Sequence, residues 1–242
     1  MLSYGLTLRI PIWAAPPTTA AYRELYAALQ SQLGLNRLET PGAPPSCLMS
    51  NGNALLIQIA ADQGLFHCLR NLEAPEGADE ARDLEVMTRD FLVALSETRK
   101  ALRPVLFVAP VAQIRAIWEV TTHDSVAFLR AMVGDRLRPE GFGTGMVLGF
   151  HLVQAPTQAP NPMDASAAEL RIEPFLRATS SIWIEATYQY PAAMIPGSGV
   201  VAQGLTGASV PADVSKVWEC AMKARELLYQ VPAFLGQGGD SG

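Results

Sequence analysis

Glu173 and Glu185 are the residues whose types and spacing most suggest acid–base chemistry in this chain. They sit in two alternating stretches, "LRIEPFLR" from Leu170 to Arg177 and "IWIEATY" from Ile182 to Tyr188, joined by Ala178, Thr179 and Ser180. A period of two predicts two strands of a hairpin. A turn centred on 178–180 would set Leu176 against Ile182, Pro174 against Ile184 and Ile172 against Ala186 on one face. The other face would then pair Phe175 with Trp183, Glu173 with Glu185, and Arg171 with Thr187. Carboxylates facing each other repel, so one would titrate high unless Arg171 stood between them, and such a pair can move protons. The plainer assignment is a solvated face on which Arg171 and Arg177 neutralise the two acids while Phe175 and Trp183 pack together.

Two glycine-rich stretches are weaker ligand-binding candidates. Gly197-Ser198-Gly199-Val200-Val201-Ala202 satisfies the GxGxx(G/A) pattern formally. In a dinucleotide site, however, the glycines open a helix directly after a parallel strand, and here Gly204, Gly207 and Pro211 intervene. Backbone amides around Gly143 and Gly145 in "GFGTG" are of the kind that hold an anion, although a glycine-rich entry to a strand explains them equally. His67, His123 and His151 are scattered, and His67 and Cys68 would point to opposite sides of a strand, so they cannot share a metal. No GxSxG, HExxH or P-loop lysine motif occurs. We therefore expect no cofactor and no metal site. Cys47, Cys68 and Cys220, odd in number and widely spaced, read as buried free thiols.

The elements that must carry these residues follow from composition and periodicity. The chain has 242 residues, 49% of them hydrophobic and 17% charged, with a mean hydropathy of +0.16, which predicts extensive burial. A net charge of -5 without any basic run argues against nucleic-acid binding. No apolar stretch is long enough for a membrane helix, and Arg9, Pro11, Pro16 and Pro17 spoil the N-terminus as a signal peptide, so a cytoplasmic protein is expected.

Residues 4–12 alternate as a strand, and Thr18 or Thr19 caps a helix that ends at Gly34. A proline- and glycine-rich loop leads to a hairpin turning at Asp62-Gln63-Gly64, apolar on both faces. The strongest helix covers 79–102 on a stripe of Leu84, Met87, Phe91, Leu95 and Leu102. Two strands broken near Pro110, a short helix capped by Thr122, a strand over 146–153, and the Glu173 hairpin come next. A helix from Pro211 to about Tyr229 precedes a tail, 236–242, expected to be disordered.

The two halves resemble each other, with Leu55-x-Ile57-Gln58 answering Leu170-x-Ile172-Glu173. The expected fold is α+β: antiparallel sheets with helices on one face, arranged as two tandem ferredoxin-like βαββα modules over 1–110 and 111–235, or as one continuous domain. The leading functional expectation is a non-catalytic binding or scaffold protein that acts through protein contacts and self-associates. An alternative makes the Glu173/Glu185/Arg171 face a small-molecule or enzyme site. In architecture alone, tandem ferredoxin-like modules with glycine-rich loops resemble CRISPR-associated RNA-binding proteins, which would imply RNA processing.

Overall fold

The alternating stretches assemble into one antiparallel sheet with helical cover. The computed structural model describes residues 2–40, 46–52, 54–72, 80–120, 124–133, 149–154, 157–196 and 211–236. In chain order they form β1 (Leu2–Trp13), α1 (Thr19–Leu33), β2 (Arg37–Glu39), β3 (Ser46–Ser50), β4 (Leu55–Ala60), β5 (Leu65–Leu72) and α2 (Glu80–Leu102). Then come β6 (Pro104–Glu119), α3 (Ser125–Val133), β7 (Phe150–Gln154), β8 (Ala167–Pro174), β9 (Ser181–Gln189), β10 (Met194–Pro196) and α4 (Pro211–Gly236). The ten-stranded sheet runs β2-β3-β4-β5-β1-β6-β9-β8-β7, with β10 beside β6. The architecture is α+β with a large antiparallel sheet.

Strict alternation gives the sheet two unlike faces. Tyr4, Leu6, Leu8 and Ile10 of β1, Ile57 and Ile59 of β4, Ile114 of β6, Ile172 of β8 and Ile184 of β9 are all buried on the first face. They share one core cluster with Leu25 and Leu29 of α1, Phe91 and Leu95 of α2, Leu129 of α3, and Val217 and Leu228 of α4. Leu56, Leu65, Leu69, Ile117 and Trp183, on the opposite face, are half-buried and lie outside that cluster.

Local chemistry sets the ends of the elements. Thr18 caps α1 by accepting a hydrogen bond from the Ala21 amide, and Gly34 closes it in the left-handed conformation. Asp124 takes the capping place at α3, its Oδ1 accepting from the amides of Val126 and Ala127 at 3.0 and 2.9 Å; Thr122 lies outside the described residues. The break expected near Pro110 is a bulge inside one continuous strand. Ala109 there has a φ of 52°, and the register with β1 gains a residue between Val108 and Val111. The Pro110 carbonyl stays satisfied by the Tyr190 amide.

The short strands β2, β3 and β10 were not expected from the sequence. In the first half four strands separate α1 from α2, and in the second the meander β7-β8-β9 follows α3, so each run is longer than a βαββα unit allows. The boundary expected at residue 110 falls inside β6, which pairs with β1 across the two halves.

The turn between β4 and β5 touches the central strand. Gly64 has a φ of 57°, its carbonyl accepts a bond from the Ile10 amide, and a Cβ would stand 2.7 Å from the Ile10 carbonyl oxygen. Gly34, with a φ of 66°, has nothing near it. Gly34→Ala should therefore cost only the left-handed penalty, ~1–2 kcal/mol, and Gly64→Ala clearly more. Urea unfolding of the two variants checks this, and equal losses would contradict it.

Candidate functional site

Chemistry on the second face is set by which side chains the register brings abreast. The β8–β9 hairpin differs from its expected pairing by two residues: Pro174 faces Ile182, Glu173 faces Trp183, Ile172 faces Ile184 and Arg171 faces Glu185. The cause is the turn. The Phe175 carbonyl accepts from the Ala178 amide, and the Ala178 carbonyl from Ser181, so two successive tight turns take up residues 175–180. A shift of two keeps every side chain on its expected face while changing its partner. Glu173 and Glu185 become diagonal neighbours, ~7–8 Å apart by sheet geometry, too far to share a proton.

Glu185 instead stands in a polar row that crosses six strands. Asn71 of β5, Ser3 of β1, Arg115 of β6, Glu185 of β9, Arg171 of β8 and His151 of β7 lie abreast. Glu185 is 7% exposed, and Arg115 Nε donates to its Oε2 at 2.6 Å while Arg115 Nη2 donates to Gln113 Oε1 at 2.6 Å. A buried carboxylate held by a guanidinium anchors the two strands to each other. Arg171 and Glu173 are exposed, and at the end of the row His151 Nε2 lies 3.3 Å from Glu169 Oε2.

Beside the row, His67 Nδ1 lies 2.7 Å from Thr7 Oγ1, and its ring crosses Gly5, where a Cβ would meet Cε1 at 3.2 Å. Burial, and then the Arg115 charge, hold His67 below the ordinary histidine range. His67 and Cys68 do face opposite ways, Cys68 lying in the core. All three cysteines are free and buried, and burial pushes Cys47 and Cys220 up to about 12. Among the described residues no group of three or more His, Cys, Asp or Glu is placed to hold a metal, and no helix is long and apolar enough to cross a membrane. Gly143, Gly145, Gly197, Gly199 and His123 lie outside the described residues.

The row unites Arg171 and Glu185 with residues the sequence did not single out, namely Asn71, Ser3 and Arg115, with Gln113 and Thr7 alongside. The bond from Arg115 to Glu185 spans 70 positions and that from Thr7 to His67 spans 60. Only the order of strands could have revealed either.

No family model and no curated protein matches the sequence. One solved structure, the di-domain ARO/CYC StfQ from the steffimycin biosynthetic pathway, aligns over 98% of this chain and 95% of that one at 12% identity. Its TM-score of 0.18 is too low to carry an argument about fold or function.

A depressed His67 makes stability depend on pH with a definite sign. The unfolded chain takes up the proton near pH ~6.5, and the folded one only at lower pH, so stability is full above that value and falls as pH drops through the folded pKa. His67→Gln should flatten the dependence between pH 7 and 5, read from urea midpoints. An unchanged pH slope would contradict this account of His67.

Proposed function

We propose that this chain is a non-catalytic binding or scaffold protein that acts through protein–protein contact and self-associates, with the second face of its sheet as a recognition surface. The observation that carries the reading is the make-up of that face. Trp183 and Ile117 are half-buried there beside Arg115, Glu185 and Arg171, and Leu56, Leu65 and Leu69 are half-buried further along the same face. Aromatic and arginine side chains set among aliphatic ones are what protein interfaces favour.

The order of strands supports a duplicated plan. In each half a first strand, β1 or β6, is followed by a helix and a meander whose last strand, β5 or β9, returns beside it. Leu55-x-Ile57-Gln58 and Leu170-x-Ile172-Glu173 occupy matching strands, β4 and β8, and present their residues to the same two faces. We read the halves as tandem modules related to the ferredoxin-like type but with longer meanders, joined through β1 and β6. Such a protein offers two related surfaces on one sheet, a useful property in a scaffold.

A second reading takes the polar row as a small-molecule site, because Arg171 is exposed beside the Arg115–Glu185 pair. The two are separable. A photoreactive benzophenone side chain placed at Glu173, exposed and opposite Trp183, should cross-link to another polypeptide in the native host extract. Labelling within the chain alone, together with loss of a small-molecule ligand in Arg171→Ala, would favour the second reading and contradict the first.

A further inference from the structure

The two edges of the sheet are unlike. One is β2, three residues long, where Arg37 and Glu39 form an ion pair. The other is β7, which among the described residues pairs only with β8 and reads Phe150-His151-Leu152-Val153-Gln154. Shortness and charge protect a strand edge from pairing with another chain. The edge at β2 has both. β7 has neither lysine, arginine, acid nor proline, and its Leu152 and Val153 are 48% and 61% exposed.

Beside this edge lies a cavity of about 320 Å³ between β7, β8 and the late turns of α4. Leu152, Leu170, Leu227 and Val231 make it apolar, and Gln154 and Gln230 add two amides. By alternation, Leu152, Gln154 and Leu170 lie on the helix-covered side of the sheet, whereas His151 and Val153 lie on the second face.

We propose that self-association, part of the function proposed above and the premise of this inference, occurs by antiparallel pairing of β7 with β7 of a second copy about Leu152. That register sets Leu152 opposite its own counterpart, Phe150 opposite Gln154, and His151 opposite Val153. Each face then continues from one copy to the next with its own character, and no like charges oppose each other. Phe150 of the second copy arrives beside Gln154 at the cavity, covering apolar surface that one copy alone leaves open. The contact is isologous: each copy supplies the same strand and the same cavity, so the pair closes and consumes both vulnerable edges.

Sedimentation velocity of the full chain over a wide concentration range tests this directly. A dimer is expected, weakened about tenfold or more by Val153→Lys, because a lysine on an edge strand disfavours its pairing with a second chain. Leu176→Lys, at an 81% exposed position in the β8–β9 turn, should leave the dimer intact. Circular dichroism verifies that both variants fold. In the unmodified chain, amide exchange over 150–154 should slow as concentration rises, which tests the pairing without any substitution. A dimer unmoved by Val153→Lys, with exchange over 150–154 independent of concentration, would overturn the edge assignment while leaving self-association standing. A monomer at every concentration would overturn both, including the case in which a small apolar molecule fills the cavity.

Discussion

The antiparallel pairing of β1 with β6 is the constraint on which the rest of the structure depends. β1 is the first strand in the chain yet lies in the middle of the sheet, with β5 on one side and β6 on the other. Its even-numbered residues from Tyr4 to Ile10 are buried, and Ser3, Gly5, Thr7 and Arg9 face the other way. A slip of one residue would drive Ser3, Thr7 and Arg9 into the core, an exchange far costlier than any local rearrangement could offset. The bulge at Ala109 gives β6 one extra residue between Val108 and Val111, and the register shifts again between Arg9 and Ile12 and between Ile12 and Trp13, near the end of β1.

Ionic contacts fix the layers to this frame. Asp90 of α2 is 4% exposed and receives Arg70 of β5 at 2.8 Å and Arg89 at 3.1 Å. On α4, Lys216 reaches Asp164 at 2.7 Å and lies 4.4 Å from the centre of the Tyr190 ring. Burial and the Glu219 carboxylate push the Tyr190 phenol well above its usual range, which keeps it neutral at any ordinary pH. Arg115 and Glu185 perform the same service between β6 and β9. These carboxylates with guanidinium or ammonium partners orient elements more than they add net stability.

Periodicity alone makes much of this legible in the sequence. The caps at Thr18 and Gly34, the turn at Gly64 and the stripe of Met87, Phe91 and Leu95 are local signals and emerge as local structure. Faces were legible for the same reason: a side chain's parity along a strand does not depend on its partner. Partners were not. The Glu173 hairpin kept its faces and changed its pairs because turn length is settled by hydrogen bonds among Phe175, Ala178 and Ser181 that leave no mark in the alternation. Arg115, Gln113 and Thr7 escaped notice because each becomes interesting only beside a residue on a distant strand. β2 and β10, three residues apiece, are too short for a period to show.

A disulfide trap between the central strands tests the account most directly. Thr7 and Val111 face each other on the second face of β1 and β6, and paired strand residues lie within the span a disulfide accepts. Thr7→Cys with Val111→Cys should oxidise within one chain under mild conditions, giving a monomeric species of altered mobility that resists urea better than its reduced form. If that pair stays reduced or links only between molecules, β1 and β6 are not neighbours, and the single sheet described here is wrong.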